Sequence, residues 1–256
     1  MGAAIGVIAG NTVRELLRSK LLYNVLVFAA LFIAGSLFVA RLTVGNWVRV
    51  IVDMGFSATE ISGVLIAVVI GVGIVAGEVQ RKTILPTLAK PVARWAFCLG
   101  RYLGLVALLI ADVAVMTAVL AAVLHLAGYD LTVVDVQAAV LIAVELAVMA
   151  ALAVLFASFS TPILASSYAL ALFVIGHMLP DLRLFADRST SNAARAAAHA
   201  FYTMLPDLEL LNLKAQAANS LAVGASFVWR SAAYGLAYAA VVLIVAMLIF
   251  SRRDLN

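Results

Sequence analysis

Six apolar runs separated by short polar stretches dominate the chain, at roughly 21–39, 61–77, 103–126, 136–158, 162–179 and 231–250. A helix needs about 20 mostly apolar residues to cross the hydrocarbon core of a bilayer. The second and fifth runs are the shortest. Barrel strands would be alternating segments of about 10 residues, and these runs do not alternate. The pattern predicts an all-α integral membrane protein: one transmembrane domain over 1–256 with six membrane-spanning helices.

The polar stretches carry the rest of the expected architecture. Residues 1–20 read as an interfacial helix, with Ile5, Ile8, Val13, Leu16 and Leu17 on a broad apolar face and Asn11, Arg14, Glu15 and Arg18 largely elsewhere; such a helix suits the headgroup layer. Residues 41–60 read as an outer loop without recognisable chemistry. In the second run Gly73 and Gly77 have the small-xxx-small spacing that lets helices approach closely in lipid. The segment 78–101 is basic, with Arg81, Lys82, Lys90, Arg94 and Arg101 against Glu78 alone. Pro91 favours an extended residue before it and the first turn of a helix after it. A helix is therefore expected from Val92 into the third run, with Trp95 and Tyr102 as interfacial anchors. A tight turn, 158–162, joins the fourth and fifth runs. The long segment 180–230 is predicted to form one or two helices on the outer surface, because a structureless loop of that length is uncommon.

Charge orients this arrangement. Six spans place both ends on one side, where ten of the 17 Lys and Arg residues fall with three acids; the other side holds seven basic residues and eight acids. Lys and Arg in short loops mark the cytoplasmic face, so both termini are expected there, in a cell inner (cytoplasmic) membrane. Composition agrees. The chain is 66% hydrophobic and 12% charged, where a soluble domain is about half apolar and a quarter charged. The net charge of +4 encodes topology better than a nucleic-acid surface, and no nucleic-acid partner is expected. A single cysteine, Cys98, excludes an internal disulfide and a cysteine metal site.

Two acids, Asp112 and Glu145, fall near the middle of the third and fourth runs. Ionisable groups inside a span are expensive and are functional candidates by default. No Lys or Arg lies inside a run to pair with them, so protonation and hydrogen bonding to Thr117, Ser166 or Tyr168 is the structural alternative. None of the four lysines closes a phosphate loop. There is no His-Glu-x-x-His pattern, and His125, His177 and His199 are scattered. No strong serine-nucleophile signature is present, and no internal repeat divides the spans into halves. The chain is expected to hold no catalytic residue, cofactor or metal.

The run Glu78, Lys82-Thr83-Ile84, Leu88, Lys90-Pro91-Val92, Arg94, Gly100-Arg101 and Leu103-Gly104 resembles the segment between the second and third spans of type-2 ABC exporter permeases (ABC-2). It is most similar to the subgroup of nitrous-oxide-reductase maturation and gliding-motility permeases. Arg14–Lys20 resembles that subgroup's entry helix, Leu205–Glu209 with Asn212-Leu213 its outer loop, and Arg252–Leu255 its end. Lys82 stands where glycine is usual, and Pro86 where a leucine-rich helix is usual. The resemblance implies a permease paired with a second copy or a homologous permease in membrane lipid. Two separate ATPase subunits would carry ATP-Mg beneath the pair. A cytoplasmic coupling helix would engage each ATPase through Glu78, Arg81, Lys82, Thr83, Ile84, Leu85 and Leu88. The expected cargo is a lipid or amphipathic molecule. The competing reading is a proton-coupled secondary transporter that uses Asp112 and Glu145 as proton carriers.

Overall fold

The computed structural model describes residues 2–42, 46–81, 94–188, 195, 202 and 204–252. Among these every regular element is helical: α1 (Gly2–Leu16), α2 (Lys20–Leu42), α3 (Trp47–Arg81), α4 (Arg94–Leu126), α5 (Val133–Phe159), α6 (Pro162–Arg188), a 3-10 turn (Glu209–Leu211), α7 (Lys214–Ala218) and α8 (Ala225–Arg252). Five helices, α3 to α6 and α8, are long and apolar enough to cross a membrane. The first apolar run lies in α2, where the described apolar stretch is the shorter Val25–Val39.

The centre of the bundle is α5. Every residue from Leu146 to Val154 is buried, so the helix is enclosed on all sides rather than along one stripe. The sequence permits this because Ala147, Ala150, Ala151 and Ala153 keep its surface narrow, and α3, α4, α6 and α8 all pack against it. Glycines on the neighbours complete the fit. A Cβ on Gly71 of α3 would lie 2.9 Å from the Ala153 Cβ, and one on Gly235 of α8 would lie 2.6 Å from Val144 Cγ1. Its first turn is closed by Asp135, whose carboxylate accepts bonds from the Thr132 N–H and hydroxyl, each at 2.7 Å. This is the reciprocal capping expected of Thr-x-x-Asp at a helix start.

Several expectations need correction. Residues 47–60, expected as an outer loop, are the first four turns of the 35-residue α3; Trp47, Ile51, Val52 and Phe56 recur at helical spacing, and the last three are buried. The fifth helix does not stop at Leu179: α6 continues through Pro180 to Arg188. Tyr102 is not an interfacial anchor. It is 7% exposed and donates its hydroxyl to the Ala147 carbonyl at 3.0 Å, because α5 leaves room for a ring there. Trp95 is exposed, as an anchor would be. Gly73 faces open space. The close glycine pair is instead Gly100 and Gly104 on α4, against α1: a Cβ at Gly104 would stand 2.7 Å from the Ala9 carbonyl oxygen. Arg101 between them pairs with Glu15 at 2.7 Å.

Gly104→Val forces α1 off α4, since the obstructing atom is backbone. The expected cost is about 1–3 kcal/mol, read as a lower midpoint in thermal unfolding of the purified protein. Gly73→Ala, made where nothing lies within 4 Å, is expected to leave that midpoint unchanged.

Candidate functional site

Four ionisable side chains from four elements meet in the apolar interior. Glu60 projects from α3 and Glu145 from α5, with exposures of 2% and 0%. His177 comes from α6 and Lys214 from the start of α7. Lys214 Nζ is paired with Glu60 Oε2. The other oxygen, Glu60 Oε1, lies 3.1 Å from His177 Nε2, and that nitrogen lies 3.5 Å from Glu145 Oε1. The order is therefore Lys214, Glu60, His177, Glu145, with cations and anions alternating when the imidazole is protonated.

Each position has a local cause. Glu145 is 12 residues into a 27-residue helix, so it sits about 18 Å from the helix start, close to the midpoint. Glu60 is at a comparable depth, 13 residues into α3, and Thr59 beside it satisfies its own hydroxyl on the Gly55 carbonyl at 2.9 Å. The His177 ring is turned by Nδ1, which donates to the Phe173 carbonyl one helical turn back at 3.0 Å, and it packs edge-on against the Phe173 ring.

Lys214 reaches the interior because the segment before α8 is pinned onto the bundle. The Leu208 N–H donates to the Gly176 carbonyl at 3.2 Å, and the Asp207 N–H donates to the Tyr234 hydroxyl at 3.0 Å. Gly176 is required at this crossing: a Cβ there would meet Leu208 Cγ at 2.7 Å and the Pro206 carbonyl at 3.0 Å. Leu208, Leu211, Leu213, Ala217 and Ala218 are buried. The stretch 206–218 is thus an inserted cap against α3, α5 and α6, not a surface covering.

The expected site residues separate. Glu145 belongs to the cluster. Asp112 does not: it is 4% exposed, and neither carboxylate oxygen has a hydrogen-bond partner among the described residues. Of its expected neighbours, the Thr117 hydroxyl is likewise unpartnered. Ser166 donates instead to the Pro162 carbonyl at 2.9 Å, and Tyr168 stacks edge-on against Phe156. The pairing of Glu60 with Lys214 was missed, since both residues lie outside the expected apolar runs. The coupling set lies outside the described residues, entirely for Lys82, Thr83, Ile84, Leu85 and Leu88 and as side chains for Glu78 and Arg81.

The family model described as "ABC-2 family transporter protein" matches residues 7–255. The chain belongs to the ABC-2 transporter family. No curated protein matches it. As an ABC-2 protein it is a membrane transport component, the permease subunit of an ABC transporter, in a family that works with ABC ATPase partners. The buried cluster therefore sits in the membrane part of a transport machine and acts as an electrostatic clasp: it ties the 206–218 cap to three helices of the ABC-2 domain.

Removing one member of a buried ion pair strands the other charge. Lys214→Met is expected to destabilise the protein by about 3 kcal/mol, and the double variant Lys214→Met/Glu60→Gln is expected to recover part of that loss. Thermal or denaturant unfolding of the singles and the double forms the cycle that checks it. Additive losses would show that the pair carries no coupling.

Proposed function

We propose that this chain is one half of an exporter pathway. It would pair with a second copy or a homologous permease and be driven by two ATPase subunits that bind ATP-Mg. The family match over residues 7–255 carries the reading. In this proposal Lys20–Leu42 is the first of six spans, both termini are cytoplasmic, the membrane is the inner membrane, and α1 lies at the cytoplasmic interface. Its subgroup is that of the nitrous-oxide-reductase maturation and gliding-motility permeases.

The force enters through residues 78–88. Support comes from the helices that flank them. At 35 residues, α3 is about 52 Å long, well beyond the roughly 30 Å hydrocarbon core, so it has length to project past the membrane. It ends at Arg81, and α4 begins at Arg94. The start of α4 lies at the end of the bundle where Arg101 meets Glu15 of α1. Cargo of lipid or amphipathic character is supported by a recess of about 310 Å³ between α2 and α3, lined by Val25, Phe28, Ala29 and Phe32 facing Ala58, Ile61 and Leu65.

The test uses the permease co-expressed with a candidate ABC ATPase subunit that carries a phosphate loop. The ATPase is expected to co-purify, and Thr83→Glu or Ile84→Glu is expected to reduce permease-stimulated ATP hydrolysis at least about 10-fold with membrane insertion intact. Normal coupled turnover in both variants would show that force enters elsewhere.

A further inference from the structure

The Glu60, Glu145 and His177 donor atoms all lie within 4.8 Å of one another in the interior of the bundle. We infer that these three side chains form a binding site for a divalent first-row metal cation of the zinc class, with Lys214 holding Glu60 in place from outside.

The unpartnered polar atoms surround a position that a central cation would fit. Lys214 occupies Glu60 Oε2 and leaves Oε1 directed at the histidine. Glu60 Oε1, both oxygens of the wholly buried Glu145, and His177 Nε2 have no hydrogen-bond partner among the described residues. Nε2 is at ion-pair distance from two carboxylates yet satisfies hydrogen-bond geometry with neither. Buried polar atoms are nearly always partnered, so three groups with unpartnered atoms whose donors lie within 4.8 Å of one another are a specific anomaly.

The spacing identifies what fits. In a tetrahedral site with metal–ligand bonds of about 2.1 Å, neighbouring ligand atoms stand about 3.4 Å apart. The two separations measured from Nε2 are 3.1 and 3.5 Å. The imidazole is also prepared as a ligand. Nδ1 donates to the Phe173 carbonyl, which fixes the ring orientation and leaves Nε2 to present its lone pair, the usual outer-sphere arrangement of a metal-bound histidine. Lys214 on Oε2 does the same for Glu60. Two carboxylates and one imidazole without a thiolate suit Zn²⁺, Co²⁺ or Mn²⁺ and disfavour soft Cu⁺. Bound there, the cation would join α3, α5 and α6 and fasten the 206–218 cap through Lys214. The absence of a local His-Glu-x-x-His pattern says nothing against this, because the three ligands come from helices far apart in sequence.

The competing occupant is a proton on Nε2, which would make the cluster a salt-bridge chain; the experiment separates the two. The full-length protein, purified in detergent with a tag containing no histidine and stripped by chelator, is titrated with Zn²⁺, Mn²⁺ and Co²⁺. One Zn²⁺ per chain is expected, tighter than Mn²⁺, with Co²⁺ giving the visible absorption of a four-coordinate nitrogen and oxygen site. His177→Gln and Glu145→Gln should each weaken Zn²⁺ binding more than about 100-fold, and Lys214→Met about 10-fold, as loss of an orienting partner does. His125→Ala, at an exposed histidine, should change nothing. If a variant fails to fold, X-ray absorption on the zinc-loaded unmodified protein still decides, by requiring one imidazole among light-atom ligands. Absence of a stoichiometric metal, a spectrum without imidazole, or full affinity in folded His177→Gln overturns the proposal in favour of the proton-bridged chain.

Discussion

A carboxylate buried at the middle of a largely enclosed apolar helix is the constraint on which the rest of this structure depends. Glu145 has no access to solvent, and an isolated charge there would cost far more than the net stability of a domain permits. An ionised carboxylate there requires compensation from neighbouring helices. His177 supplies the nearest group, Glu60 approaches the same ring nitrogen, and Lys214 closes the series. Compensation thus fixes the relative rotation of α3, α5 and α6 as well as their separation, which shape-filling by alanine and leucine alone does not. It also explains why the segment before α8 is folded inward. A cap without Lys214 would leave Glu60 Oε2 without its cation.

Packing and electrostatics divide the work along the bundle. Where α5 carries alanines, Gly71 and Gly235 bring neighbouring backbones close, and dispersion over short distances substitutes for the hydrophobic effect that lipid does not provide between helices. Where α5 carries Glu145, contact is made by long polar side chains. At the opposite end α1 is held by a different device, with Gly100 and Gly104 admitting its backbone and Arg101 bonded to Glu15 between them.

The helical runs were legible because a span of apolar residues in lipid has one dominant solution, and α4, α5 and α8 contain their expected runs with only a few extra residues at the ends. The errors share a physical cause. Residues 47–60 carry Arg49, Asp53 and Glu60, which lowers their hydropathy below the level of a span, although Ile51, Val52 and Phe56 keep helical spacing. A charged residue paired inside the protein looks the same in sequence as one facing water. The same blindness hid the site. Glu145 stood out because its neighbours are apolar, but its partners lie on three other elements, and no spacing rule connects residues 60, 145, 177 and 214. The nearest available signal was Lys214, a lone lysine in the otherwise apolar setting of Leu213 and Ala215. Tyr102 was misplaced for a related reason. An amphipathic ring near a helix end suits an interface and a buried carbonyl equally well, and only the narrow surface of α5 at Ala147 decides between them.

The continuity of α3 joins the two ends of the molecule. Glu60 and Arg81 lie on one unbroken helix without proline, and a helix resists bending over that length far more than an ion pair resists being lengthened by an ångström or two. A displacement of the Arg81 end would therefore reach Glu60, where it would change the distances to His177 and Lys214 together. Because Glu145 faces His177, and the cap is tied through Lys214, one such movement would alter the surroundings of a buried acid and the hold on the 206–218 segment at once. An interior with discrete charge partners responds to such a push by switching between arrangements rather than by yielding gradually. That is the property a force-driven transport component needs in its membrane domain.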